Sequence, residues 1–241
     1  MSELALVPVQ HRTHRLIASR HPMVGVFDDL TADKDDLRIA FLLESATNDR
    51  LIVAAERLQL LPDAQVITGE GASIVMAAFL HADDQGGRFT DPRLGAWYAA
   101  FELATAIAET LYHNDRRLRF SAEPFPSRIQ IRELIADLDT QLIDIRGRQT
   151  ERPELYDPDP ANYRPAQTFG VGLRWPDGDP TRAHEGAPGL IYDSVRKAGG
   201  TNVCIYWPGL VPLPVQQGDH FEYRWSANGE AEAVRITNVK F

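Results

Sequence analysis

The chain has 241 residues, 44% of them apolar and 24% charged, and carries a formal net charge of −9. That length suffices for one large domain with a substantial core, and the composition is that of an ordinary globular protein. The acidic balance argues against a nucleic-acid-binding surface, because neutralising phosphates needs a basic footprint, and no apolar run approaches the ~20 residues of a membrane span.

In chain order, residues 1–32 carry short apolar fragments broken by His and Arg and read as irregular or extended. The N-terminus lacks a positive region followed by a long apolar core, so no secretory signal is expected. A helix is expected from Ala32, where Asp33, Asp35 and Asp36 suit a helix N-terminus; Leu37, Ala40, Phe41 and Glu44 follow helical spacing with one polar exception. A second helix is expected over Asn48–Leu58, closed by Pro62, and a third, buried one over Ala72–Leu80. Turn residues from Ala82 to Gly87 make a loop. The apolar run from Gly95 to Phe101 reads as a strand, and an alanine-rich helix follows from Leu103 to about Arg117. Ile129–Ile145 reads as two strands, and a helix is expected near Ala161–Arg174 after a Pro- and Asp-rich loop. The final stretch reads as four strands, Gly189–Val195, Thr201–Tyr206, His220–Trp225 and Ala233–Val239, separated by Gly, Pro and Asn. A single α+β domain spanning 1–241 follows, with a helical insert at about 32–81.

Chemistry concentrates between Gly86 and His113. Arg88 follows two glycines at a loop-to-strand junction, where backbone can approach a ligand closely and a guanidinium can pair with phosphate. Tyr98 alternates with Ala96 and Ala100 on one side of its strand, opposite Trp97 and Phe101, which gives its ring room to stack a flat heterocycle. Glu109 falls away from the apolar helix stripe Ala104, Ile107, Ala108 and Leu111, beside Glu102, Thr105 and Tyr112. Arg88, Tyr98 and Glu109 lie ten and eleven residues apart, so a strand and a following helix can bring them to one cleft. Together they supply a cation for a pyrophosphate, a ring for a heterocycle and a carboxylate for a sugar cation. Glu102 shares the helix face and is the rival carboxylate. Among Arg12, Arg15 and Arg20 the chemistry does not choose.

Other chemistries are weaker. Seven scattered histidines offer His11 and His14 but no third ligand, so no metal is expected. The single cysteine, Cys204, lies between Val203 and Ile205, reads as a buried strand thiol and fits a reducing cytoplasm. No Walker motif or dinucleotide-fold glycine fingerprint is present.

Three blocks in order resemble the RES-domain toxins of bacterial toxin–antitoxin pairs. The central block is Gly87-Arg88-Phe89, Tyr98-Ala99-Ala100 and Ala106-Ile107-Ala108-Glu109. The second runs from Gly189 through Ser194, Val195 and Arg196 to Gly199-Gly200, and the third is His14-Arg15-Leu16. The likeness extends from about Arg15 to Trp225. The chain departs from the family pattern where Phe89-Thr90 stands in place of Trp-Asn, where His14 replaces a tyrosine, and in a longer stretch between Arg15 and Arg88.

The resemblance implies an ADP-ribosyltransferase-like fold with a split β-sheet core and helices around it. It implies cleavage of the nicotinamide–ribose bond of NAD, held as a substrate with no prosthetic group and no metal. Glu109 is then the catalytic carboxylate, while Arg15, Arg88, Tyr98 and Ser194 bind NAD, Ser194 positioning the ligand without attacking it. ADP-ribose passes to a protein, to water or to phosphate; the helical insert and the added strands favour a protein acceptor over a glycohydrolase or phosphorylase. The expected partner is a helix-turn-helix antitoxin, which would supply the DNA binding that an acidic, cytoplasmic chain lacks. A reading of a different class is a non-catalytic module that binds NAD or a partner.

Overall fold

A computed structural model describes residues 4–20, 28, 33–37, 39, 50–122 and 124–237. Its frame is a seven-stranded mixed sheet with helices packed on it, an α+β architecture. The strands are β1 (Leu6–Ala18), β2 (Trp97–Ala100), β3 (Ser127–Asp144), β4 (Gly189–Asp193), β5 (Thr201–Ile205), β6 (Gln216–Trp225) and β7 (Ala231–Ile236). The α-helices are α1 (Arg50–Leu58), α2 (Ala72–Leu80), α3 (Leu103–Arg119) and α4 (Arg164–Arg174).

β3 organises the sheet. One edge pairs antiparallel with β1 along its whole length, from Leu6 opposite Ile143 to Ala18 opposite Ile131. The other edge forks. It pairs with β6 over Ser127–Ile135 and then, in parallel, with β4 at Ile143 and Asp144. The sheet is therefore split. β4 pairs with β5, β5 with β2, and β2 returns to β1 through His14 opposite Ala100. The five strands β1, β2, β5, β4 and β3 thus close a ring, with β6 and β7 as a flap on the other branch.

Two apolar clusters fill the structure. The larger joins the ring to the helices through Leu58, Val75, Phe79, Trp97, Leu138, Trp175 and Ile205. α1 and α2, which fall in the stretch read as an insert, contribute to this same core. The smaller cluster sets Leu16, Ala106, Ile131, Phe221, Tyr223 and Trp225 against α3.

Several expectations hold closely: the helix over Ala72–Leu80 and the starts of α3, β4 and β5 fall where the sequence puts them. Residues 6–18 are extended, and Lys34–Leu37 are helical. Ala32, Ala40, Phe41, Glu44, Asn48 and Val239 lie outside the described residues. Two readings are corrected. Ile129–Ile145 is not two strands: β3 runs unbroken through 18 residues, because no Gly or Pro interrupts it. Its poor alternation comes from the fork, where four successive residues, Ile131–Glu133 and Leu134, are all buried. The expected apolar stripe of α3 is also shifted. Thr105 and Ala106 are its buried residues, Ile107 and Leu111 pack on the smaller cluster, and Ala104 is exposed. The helix is covered on two sides, so a polar face is covered as well.

Candidate active site

The second covered side of α3 faces a cavity of ≈ 380 Å³. Its wall takes residues from β1, the loop before β2, β2 itself, α3 and β5. Arg15, Arg88, Tyr98 and Glu109 all line it. Ser194 does not, and its place is informative.

Glu109 is partly buried on α3. Its Oε1 accepts hydrogen bonds from Ser194 Oγ (2.7 Å) and Asn202 Nδ2 (2.8 Å). Ser194 Oγ itself accepts the backbone N–H groups of Arg196 and Lys197, each at 3.0 Å. The one hydroxyl proton is therefore committed to the carboxylate. Both bonds fall on Oε1, which leaves Oε2 for the cavity. Hydrogen bonds to an ionised group are roughly twice as strong as neutral ones, so the carboxylate is held in one orientation. Ser194 was expected inside a strand and on the ligand. It lies one residue past the end of β4, at the start of a turn, and its hydroxyl is bonded to Glu109.

The rival carboxylate is elsewhere. Glu102 precedes α3 with extended backbone, and its Oε2 accepts from Thr105 Oγ1 (2.9 Å) and from the Thr201 N–H (3.3 Å). It is exposed and does not line the cavity.

Arg88 is buried beside the cavity. Its Nη1 donates to the carbonyls of Leu155 (3.1 Å) and Asp157 (2.8 Å), and its Nη2 to Tyr163 OH (2.9 Å). Three donor contacts thus tie down the loop that leads to α4. Among the three N-terminal arginines the geometry distinguishes clearly. Arg12 pairs with Asp137 at 2.8 Å on the surface, Arg20 is exposed, and Arg15 lines the cavity. Arg15 Nη1 donates to the Tyr98 carbonyl (2.9 Å), and its guanidinium lies 5.0 Å from the Trp97 ring centre. Burial lowers Arg15 to about 10, so it remains a cation at neutral pH.

Tyr98 is fixed at both ends. Its carbonyl takes Arg15, and its hydroxyl accepts the Phe89 N–H (2.9 Å) and contacts Thr90 Oγ1 (3.1 Å). Burial raises its phenol well above the usual range. The approach of Gly87 explains the glycine pair: a Cβ there would lie 2.7 Å from the Tyr98 hydroxyl and 2.9 Å from Thr90 Oγ1. Burial likewise pushes the Cys204 thiol up to about 12, which keeps it inert.

Three participants escape a reading of the sequence alone. Asn202 is the second donor to Glu109, and its only signal is a buried polar residue in the apolar strand Thr201–Ile205. His113 lies one turn beyond Glu109 and lines the same cavity. Burial first, then Arg196, Arg117, Arg88 and Arg116, lower it to about 4, so it is neutral at physiological pH. Tyr163 holds Arg88. Around the cavity Arg117 is paired with Asp83 at 2.8 Å, whereas Arg116 stacks on Phe120 with no acidic partner among the described residues. Arg116 also lines an open cleft of ≈ 440 Å³ with Tyr112, Phe120 and Arg196. The positive lining suits a polyanionic ligand despite the chain's acidic balance.

Among the described residues, no cluster of three or more His, Cys, Asp or Glu side chains is placed to hold a metal ion. No described helix is long and apolar enough to cross a membrane.

Comparison with known proteins gives a family match. The RES domain family model matches residues 65–226, more than half of the chain. No curated protein matches it. Among solved structures, it is similar to a chain of the M. tuberculosis MbcT–MbcA toxin–antitoxin complex. That likeness has a TM-score of 0.44 and 11% identity, and covers 96% of this chain and 87% of the other.

Proposed function

This chain belongs to the RES domain family, and from that premise we propose that it is a toxin that cleaves the nicotinamide–ribose bond of NAD and transfers ADP-ribose to a protein. The observation that carries the reading is the anchored carboxylate: Glu109, held on Oε1 by Ser194 and Asn202, shares a cavity wall with Arg15, Arg88 and Tyr98. Departure of nicotinamide leaves a ribose with oxocarbenium character. A carboxylate fixed before the reaction stabilises that charge without reorganising, which is the most effective form of electrostatic catalysis. The arginines hold the pyrophosphate, Arg88 through the donors that its loop contacts leave over. Tyr98, immobilised at its hydroxyl, offers a rigid face to the nicotinamide ring. This is the ADP-ribosyltransferase-like chemistry, carried out in a fold whose sheet is split.

A protein acceptor is favoured by the open cleft beside Arg116, where Phe120 is 78% exposed and Tyr112 and Arg196 form the wall. An acidic antitoxin segment would complement the same basic lining, and the antitoxin would carry the DNA-binding function. The test uses NAD labelled on the adenylate, incubated with the purified chain and a bacterial lysate. Nicotinamide release with a labelled protein band supports transfer. Release with free ADP-ribose, or with its phosphorylated product, assigns hydrolysis or phosphorolysis. Binding of NAD without release assigns a non-catalytic module.

A further inference from the structure

We propose that His14 and Glu133 form a proton-accepting dyad on the cavity wall, which takes the proton of a hydroxyl-bearing acceptor as that acceptor bonds to the ribose. The inference rests on the reading of NAD cleavage above and adds a second set of residues to it.

His14 of β1 and Glu133 of β3 are diagonal neighbours on one face, since His14 is opposite Ile135 and Leu16 is opposite Glu133. His14 Nδ1 lies 2.5 Å from Glu133 Oε1. The carboxylate side chain is only 4% exposed, and the imidazole 17%. A carboxylate can only accept, so Nδ1 carries the proton, and in the neutral ring Nε2 carries the lone pair. Nε2 has no partner among the described residues, and His14 lines the same cavity as Glu109. A base oriented by a buried third group is the arrangement used to activate a nucleophile.

The fold builds this pair deliberately. The β3–β6 register shifts between Arg132 and Leu134, so that Gly218 and Asp219 of β6 stand opposite the single residue Glu133, a bulge in β6 facing Glu133. Bulges re-aim side chains and are common beside active sites. Here the bulge brings the Asp219 N–H to Glu133 Oε2 at 2.7 Å. It also requires a glycine next door, because a Cβ on Gly218 would lie 2.2 Å from that same oxygen. The second oxygen of Glu133 is thereby satisfied, and the first is left to His14.

The step balances simply. The acceptor oxygen forms its bond to C1′ while the C1′–N bond breaks, and that electron pair neutralises the departing nicotinamide. The acceptor's proton moves to His14 Nε2, giving an imidazolium that Glu133 stabilises, and is later lost to water. The titratable and charged groups around His14 are Glu133, the Arg12–Asp137 pair on the same strands, Arg15 and Arg88 on the cavity wall, and Glu109, His113, Arg116 and Arg117 across the cavity on α3.

The test measures nicotinamide release by the whole chain as a function of pH for wild type, His14→Gln and Glu133→Gln, with and without sodium azide. Azide attacks carbon without a proton to give up. General-base losses are typically ~10²-fold or more. His14→Gln is expected to slow turnover by that order, keep its NAD affinity, lose the acidic limb of the pH profile and recover rate with azide as ADP-ribosyl azide forms. Glu133→Gln, which keeps an oxygen for Asp219, should show a smaller loss in the same direction. Either wild-type turnover with an unchanged pH profile in folded His14→Gln, or a slow variant that azide does not restore, overturns the dyad while leaving NAD cleavage standing. No nicotinamide release by wild type overturns NAD cleavage, and the dyad with it.

Discussion

At the scale of single residues, the site is built from side chains with two jobs. Arg88 lines the cavity and also holds the carbonyls of Leu155 and Asp157 and the hydroxyl of Tyr163. Arg88→Ala should therefore weaken NAD binding about tenfold or more, since a charged hydrogen bond is worth ~1.5–3 kcal/mol. It should also lower the unfolding free energy, because two carbonyls lose their donor. Titration with NAD and urea unfolding measure both; unaltered NAD affinity in the folded variant contradicts the phosphate role. His113 makes a pH prediction. Its folded value is about 4, against roughly 6.5 in an unfolded chain. Above about pH 6.5 the ring is neutral in both states and has no effect. As pH falls from there towards 4, the unfolded chain binds a proton that the folded one resists, so stability falls by up to ~3 kcal/mol. His113→Gln should remove that slope between pH 6.5 and 4 in urea unfolding; equal slopes in variant and wild type contradict it. That Arg88, Tyr98 and Glu109 line one cavity was legible in sequence, because their spacing fits a strand followed by a helix. Asn202 was not, because its partner lies 93 residues away, and no local pattern encodes that contact. Nor did any local signal show that the hydroxyl of Ser194 serves Glu109.

At the scale of elements, the loop from Gly86 to Thr90 is clamped onto β2 through the Tyr98 hydroxyl. Gly87→Ala would drive a Cβ to 2.7 Å from that oxygen, so the loop must lift and Arg88 with it. The expected result is a loss of NAD affinity at least as large as that of Arg88→Ala, together with a lower Tm; a variant with wild-type affinity would show that the clamp does not position Arg88. α2 was readable because it is apolar almost throughout and buried or half-buried on every side, so the apolar run itself fixes its bounds. α3 was harder, because it is packed on one side by Tyr223 and Trp225 and on another by the cavity wall. A single apolar stripe sets Glu109 outside the buried face, and only the second packed side of α3 shows it to be half-buried on the cavity wall. β3 was misread as two strands for a related reason. Its burial follows a fork in the sheet, and the fork is set by β4 and β6, both distant in the chain.

At the scale of the molecule, an acidic chain holds a basic cavity, with Arg15, Arg88, Arg116 and Arg117 gathered around Glu109. The charge of −9 therefore describes the exterior and gave no hint of the interior field. Membership of the RES domain family and this cavity together lead to the expectation that expressing the chain without a partner arrests bacterial growth and lowers free NAD or produces ADP-ribosylated protein. Normal growth at verified expression, with NAD and proteins unchanged, contradicts it. The central claim is that Glu109 stabilises the oxocarbenium-like ribose from which nicotinamide departs. It is tested most directly by the rate of nicotinamide release from NAD by wild type, Glu109→Gln and Glu102→Gln. Glutamine matches glutamate in size, so packing is kept and only the charge is lost. Losing one preorganised group costs on the order of 10²–10³ in rate, and binding of NAD should change little because its ribose is not yet cationic. The account predicts a loss of that size in Glu109→Gln with near-wild-type release by Glu102→Gln; an active Glu109→Gln, or an inactive Glu102→Gln beside it, would contradict it.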